Sequence, residues 1–77
     1  MTSFRWTGEQ VRNAGLLYQN YENRAEVFDD KNTVIGEVLL LANGTYQPRV
    51  PGIRGDDCAA MHEAVDAVVD MHKRYRS

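Results

Sequence analysis

The chain predicts an α+β domain in the order α-β-β-β-α, with a three-stranded antiparallel sheet and a long C-terminal helix packed on one face. Three observations carry that expectation. Apolar residues recur at helical spacing from Cys58 to Tyr75, Asn43-Gly44 separates two β-type runs, and a helix-start pattern stands at Thr7. The 77 residues allow one domain, residues 1–77, and 43% hydrophobic with 26% charged residues is ordinary globular composition. A domain this short buries roughly 60% of its unfolded surface, which leaves little volume for a deep pocket and makes a homodimer a reasonable expectation.

Thr7 is a good N-cap and Gln10 follows three residues later, the arrangement of a capping box. Trp6 and Val11 would form the hydrophobic staple around it. Val11, Ala14, Tyr18, Tyr21 and Ala25 recur at helical steps, so a helix is expected from Gly8 to about Asn20, or to Gly15 in a shorter version. Gly15 opposes the longer one by about 1 kcal/mol relative to Ala.

Strands are expected next. Arg24 to Asp29 alternates around Ala25 and Val27, Asp29-Asp30-Lys31-Asn32 is a turn cluster, and Thr33 to Ala42 is a long β-type run with a bulge or bend at Gly36. Asn43-Gly44 suits a two-residue type I′ turn, in which both residues have positive φ. That turn places Leu41 opposite Tyr46, Leu40 opposite Gln47, Leu39 opposite Pro48 and Val38 opposite Arg49. Ile35, Leu39, Leu41, Tyr46 and Val50 then share the core face. Val34, Val38, Leu40, Gln47 and Arg49 share the other, a face of mixed polarity that a helix or a partner must cover. Pro48 marks the third strand, Thr45 to Val50, as an edge.

The final helix carries Cys58, Met61, Val65, Val68, His72 and Tyr75 at steps of 3, 4, 3, 4 and 3, widened by Ala64 and Met71, with Val65 and Val68 expected against Leu39 and Leu41. Asp56 or Asp57 would cap it. Glu63, Asp66 and Asp70 precede Lys73, Arg74 and Arg76, the order that complements the helix dipole, and Asp70 and Arg74 form an i,i+4 pair.

Several functions are excluded by count or spacing. The longest unbroken apolar run is Val38–Ala42, against about 20 residues for a membrane helix. No basic stretch leads an apolar one at the N-terminus, and the one Cys forms no internal disulfide, so the expected setting is cytoplasmic. Cys58 and His62 lie four apart with Asp56 and Asp57 before them, but zinc wants three or four protein ligands; no metal and no cofactor is expected. Cys58, His62 and Asp66 would stack along one helix rather than converge on a cleft, so no catalytic residue is assigned. Gly52-Ile53-Arg54-Gly55 lacks the spacing and Lys of a phosphate loop, and Asp56 and Asp57 would repel the phosphate.

From Arg24 onward, the hairpin, third strand and helix resemble the arm-binding domains of phage-type integrases. Gly44-Thr45-Tyr46 matches the third strand and Glu63-Ala64-Val65 the helix, while Cys58 replaces the family's aromatic and Ala60 its capping Ser or Thr. The resemblance implies DNA binding through the sheet; independently of it, Arg24, Lys31, Arg49 and Arg54 fall on or near the expected strands, and Gln47 could read a base edge. The strands lack the basic excess of those domains, and the net charge of the chain is −2. In size and acidity the chain resembles small phage and mobile-element accessory proteins that block host machinery, the anti-CRISPR class among them.

The expectation is therefore a non-enzymatic protein-binding module, an inhibitor or accessory protein occupying a surface of a host protein complex. A small DNA-binding module using the sheet face is the alternative. The expected contact residues are Tyr18, Tyr21, Val38, Leu40, Gln47 and Arg49, with Tyr and Arg favoured because they dominate binding hot spots.

Overall fold

In the computed structural model, which describes residues 2–12 and 19–75, one antiparallel sheet of five strands carries a C-terminal helix. The strands are β1 (Ser3–Trp6), β2 (Tyr21–Phe28), β3 (Val34–Leu41), β4 (Tyr46–Val50) and β5 (Ile53–Arg54), in spatial order β1-β2-β3-β4-β5; the helix is α1 (Met61–Tyr75). This corrects the expected three-stranded sheet and α-β-β-β-α order. The α+β class and the long C-terminal helix stand.

The N-terminal correction has a local cause. Trp6 lies in β1, paired with Ala25, and Gly8 has φ 78°. Thr7 Oγ1 accepts the Glu9 N–H two residues on, and it donates to the Arg24 carbonyl. The Gln10 amide donates to Glu22 across the chain instead of closing a capping box. A short polar side chain that caps a helix serves a turn equally well. Val11 then forms a two-bond bridge with Tyr21. Residues 13–18 of the expected helix lie outside the described residues, and Arg12, Gln19 and Asn20 on either side are not helical.

The turn at residues 29–32 forms where expected. Asp29 Oδ1 accepts the Lys31 and Thr33 N–H groups, and Asn32 takes φ 62°. The β3–β4 hairpin forms at Asn43-Gly44 but with a different turn. Leu41 and Thr45 are joined by a backbone bond, Gly44 N–H donates to the Leu41 carbonyl, and of the two turn residues Gly44 alone has positive φ, 85°. The loop is thus Ala42-Asn43-Gly44, a tight turn followed by a left-handed glycine. Asn43 Oδ1 holds it by accepting from the Thr45 N–H and Oγ1.

The extra loop residue shifts the register by one. Leu40 pairs with Tyr46, Leu39 with Gln47, Val38 with Pro48 and Glu37 with Arg49. A one-residue slip exchanges the faces. Val38, expected on the outer face, belongs to the core under α1, together with Ala25, Val27, Ile35, Val50, Ala64, Val68 and Met71. Leu40 follows it to that side by alternation. Leu39 and Leu41 are buried on the opposite face, so they are not the partners of Val65 and Val68.

β4 is not an edge. The pairing pattern turns the ring nitrogen of Pro48 away from β3, toward the side where β5 reaches only as far as Arg54. The Pro48 carbonyl accepts the Gly55 N–H, and Tyr46 exchanges two backbone bonds with Cys58. Cys58 is thereby held beside the sheet, ahead of α1. Asp57 bonds Gln47 instead of capping the helix. The Asp70–Arg74 pair forms at 3.2 Å. Among the described residues, no helix is long and apolar enough to cross a membrane.

Candidate functional site

The sheet face turned away from α1 carries one charged residue on each strand in a single registered row: Arg5, Glu26, Glu37, Arg49 and Arg54. In the next row Arg24, Leu39 and Gln47 align. Strand alternation puts all of these on one side.

The Thr7-Gly8-Glu9 turn brings a further carboxylate over this face. Asn23 Oδ1 fastens the turn by accepting the Gly8 and Arg24 N–H groups where the register of β2 shifts. Glu9 then receives the Tyr21 hydroxyl at 2.6 Å on one oxygen and Arg24 Nε at 3.0 Å on the other. Arg24 Nη1 donates to Glu37 at 2.9 Å. A chain of four groups, Tyr21–Glu9–Arg24–Glu37, so spans the turn, β2 and β3. Each member orients the next, and charge assistance shortens the bonds. A hollow of about 500 Å³ lies against them, walled also by Val11, Leu39 and Arg49. A second, of about 550 Å³, runs from Glu37 and Arg49 to Arg54 and the Pro51-Gly52 turn.

The electrostatics follow from these contacts. The bonds from Tyr21 and then Arg24 hold the Glu9 carboxyl below its usual range. Burial, followed by the bond to ionised Glu9, pushes the Tyr21 phenol up to about 12. Burial opposes the Arg24 charge, but Glu9 and Glu37 more than restore it, leaving its pKa raised. A spectrophotometric titration is therefore expected to find one tyrosine ionising near pH 12. The unfolded phenol ionises near 10. Between those values the folded state holds more protons, so the stabilisation from Tyr21, complete below pH 10, is lost as pH rises through about 12. Tyr21→Phe should remove that high-pH step from the titration.

Arg49 differs from its neighbours. Arg5, Arg12 and Arg24 each sit on a carboxylate. Glu37, the registered neighbour of Arg49, is already engaged by Arg24. Among the described residues, neither Arg49 nor Arg54 has an ion pair, and the two face each other across β4 and β5.

Of the expected contact residues, the structure brings Tyr21 and Arg49 to one hollow. Val38 is fully buried under α1, and Leu40 is half-buried on that same side. Gln47 lies on the face turned away from α1 but is 3% exposed; its Nε2 donates to Asp57 and its Oε1 has no partner among the described residues. Tyr18 is outside the described residues. Glu9, Glu37 and Leu39 were not among the expected contacts, and Arg24 was expected only as a cation in the DNA-binding alternative. Glu37 was the available signal, as a lone carboxylate within the otherwise uncharged run Val34–Leu41 needs a cation from a neighbouring strand.

The set is suited to holding and orienting a ligand surface. The Tyr21 phenol stays protonated and the Glu9 carboxyl ionised at neutral pH. Cys58 stands apart, its thiol pushed up by burial and then by Glu63, Asp57 and Asp56. No group of three or more His, Cys, Asp or Glu side chains among the described residues is arranged to hold a metal ion. No protein-family model, curated protein or solved structure matches the chain.

Proposed function

We propose that the chain is a non-enzymatic protein-binding module that occupies a surface of a larger host assembly through the charged row on the sheet face turned away from α1, as an inhibitor or accessory protein of phage or mobile-element type. The observation that carries the contact surface is Arg49. It is a half-buried residue with no ion-pair partner among the described residues, lining both hollows beside the Tyr21–Glu9–Arg24–Glu37 chain. A partner carboxylate or carbonyl presented there completes the row, and a preorganised polar frame reduces what is lost in ordering side chains on binding. The phage or mobile-element assignment rests on the resemblance in size and acidity.

Arg49→Ala is expected to leave the melting curve nearly unchanged and to weaken the complex at least ~30-fold, the factor matching 2 kcal/mol. The test is affinity measurement against the protein retained by the immobilised chain from its source organism, with Arg74→Ala on α1 as the control. Equal binding by Arg49→Ala and the parent would overturn the reading. Arg49 and Arg54, without ion pairs among the described residues, favour DNA as the second reading. Against it, Gln47 is 3% exposed, so its amide is not presented to a base edge. Binding to random duplex with a steep salt slope would put DNA first.

A further inference from the structure

The sheet's first edge lies apart from the charged face. β1 ends the sheet, and among the described residues no strand pairs with its outer side. Phe4 and Trp6 are registered with Val27 and Ala25, two residues of the core under α1. Their side chains therefore project on the helix side of the sheet. α1 packs on β3 and β4, and the two rings remain 43% and 37% exposed. They contact each other edge to face, with centroids 6.1 Å apart. An unpaired strand edge flanked by exposed aromatics is a template for strand addition.

We infer that β1 pairs antiparallel with β1 of a second copy, forming a two-fold dimer with one sheet continuous across both chains. The backbone sets the register. Thr7 N–H donates to the Arg24 carbonyl, so Thr7, Arg5 and Ser3 occupy the positions that bond toward β2. The N–H and C=O groups of Phe4 and Trp6 point outward. A two-fold axis at Arg5 lets Phe4 of each copy exchange both backbone bonds with Trp6 of the other, and it stacks the four rings into one cluster on the helix side. Arg5 meets its symmetry mate on the face turned away from α1, a like-charge approach offset by its own Glu26 at 3.6 Å and its own Phe28 ring in each copy.

The second copy is favoured as the occupant because the strand complements itself in this register and the opposite edge does not compete. β5 has two residues and follows the Pro51-Gly52 turn, too short to receive a four-residue strand. Pairing at β1 alone closes after two copies instead of growing into a fibre. The contact uses neither Arg49 nor the hollows, so it stands apart from the proposed binding function.

The test is sedimentation equilibrium of the full chain from about 10 μM to 1 mM, the range suited to a small interface. The parent is expected to shift from monomer to dimer, without larger species. Phe4→Pro removes one outward N–H and leaves the bonds toward β2, so it should stay monomeric with an unchanged circular dichroism spectrum. Trp6→Lys should also stay monomeric, and it decides the matter if Phe4→Pro unfolds. On the two-fold axis, Arg5→Cys in a Cys58→Ser background should oxidise to a covalent dimer, since that unbonded pair brings Cα atoms to about 4.5 Å. A parent that is monomeric throughout, or a Trp6→Lys variant as dimeric as the parent, would overturn the inference.

Discussion

Val68→Asp is expected to leave the chain unfolded, with its helical circular dichroism lost at room temperature. Val68 is 0% exposed and sits among Val38, Val50, Ala64 and Met71, a cluster with no basic side chain. A carboxylate placed there loses its water and gains no partner, a penalty of several kcal/mol even after relaxation. A domain of this length holds about 4–12 kcal/mol in all. Val68→Ala removes two methyl groups and should cost about 1–2 kcal/mol, leaving a cooperative transition at a lower midpoint. A folded, soluble Val68→Asp protein would mean that α1 does not cover this face of the sheet.

Gly36→Ala is expected to destabilise by about 3 kcal/mol, the upper end of what overpacking costs. The added methyl would lie 2.5 Å from the Arg49 carbonyl oxygen, 2.6 Å from Val68 Cγ1 and 3.1 Å from Val50 Cγ1. The two side chains can rotate, but the oxygen belongs to β4 and cannot move without disturbing the sheet. The melting midpoint should fall by about 12–24 °C, at 4–8 °C per kcal/mol for a domain of this size. An unchanged midpoint would show that β3 and β4 are not packed this closely beneath α1.

These two positions also show which parts of the fold could be read from sequence. The stripe around Val68 was legible because helical spacing persists over four turns. Gly36 was legible as an irregularity, and the pairing does shift there, with Val27 opposite Gly36 and Phe28 opposite Val34. What forced a glycine, the carbonyl of Arg49 and the methyls of α1, lies far away in sequence. The hairpin was found at the right residues and given the wrong turn. Asn-Gly serves both a two-residue and a three-residue loop, and the choice exchanged the faces of Val38 and Leu39. Thr7 and Gln10 misled because their hydrogen bonds suit a turn as well as a helix start. β1 escaped notice because four exposed residues show no burial pattern.

The candidate site was legible in part for the same reason. Tyr21 and Arg49 could be singled out by residue type. Their convergence with Glu9, Arg24 and Glu37 depends on the registers of β2, β3 and β4 and on a turn closed by Asn23, none of which is encoded locally.

The most direct measurement of the central claim is backbone amide chemical-shift mapping of the isotope-labelled chain on addition of its captured protein partner. Binding through the face turned away from α1 predicts that the largest changes fall at Tyr21, Arg24, Glu37, Arg49 and Arg54, with the exposed side of α1 at Asp66, Asp70 and Lys73 nearly unmoved. Changes concentrated on α1 and absent from Arg49 and Arg54 would contradict the account.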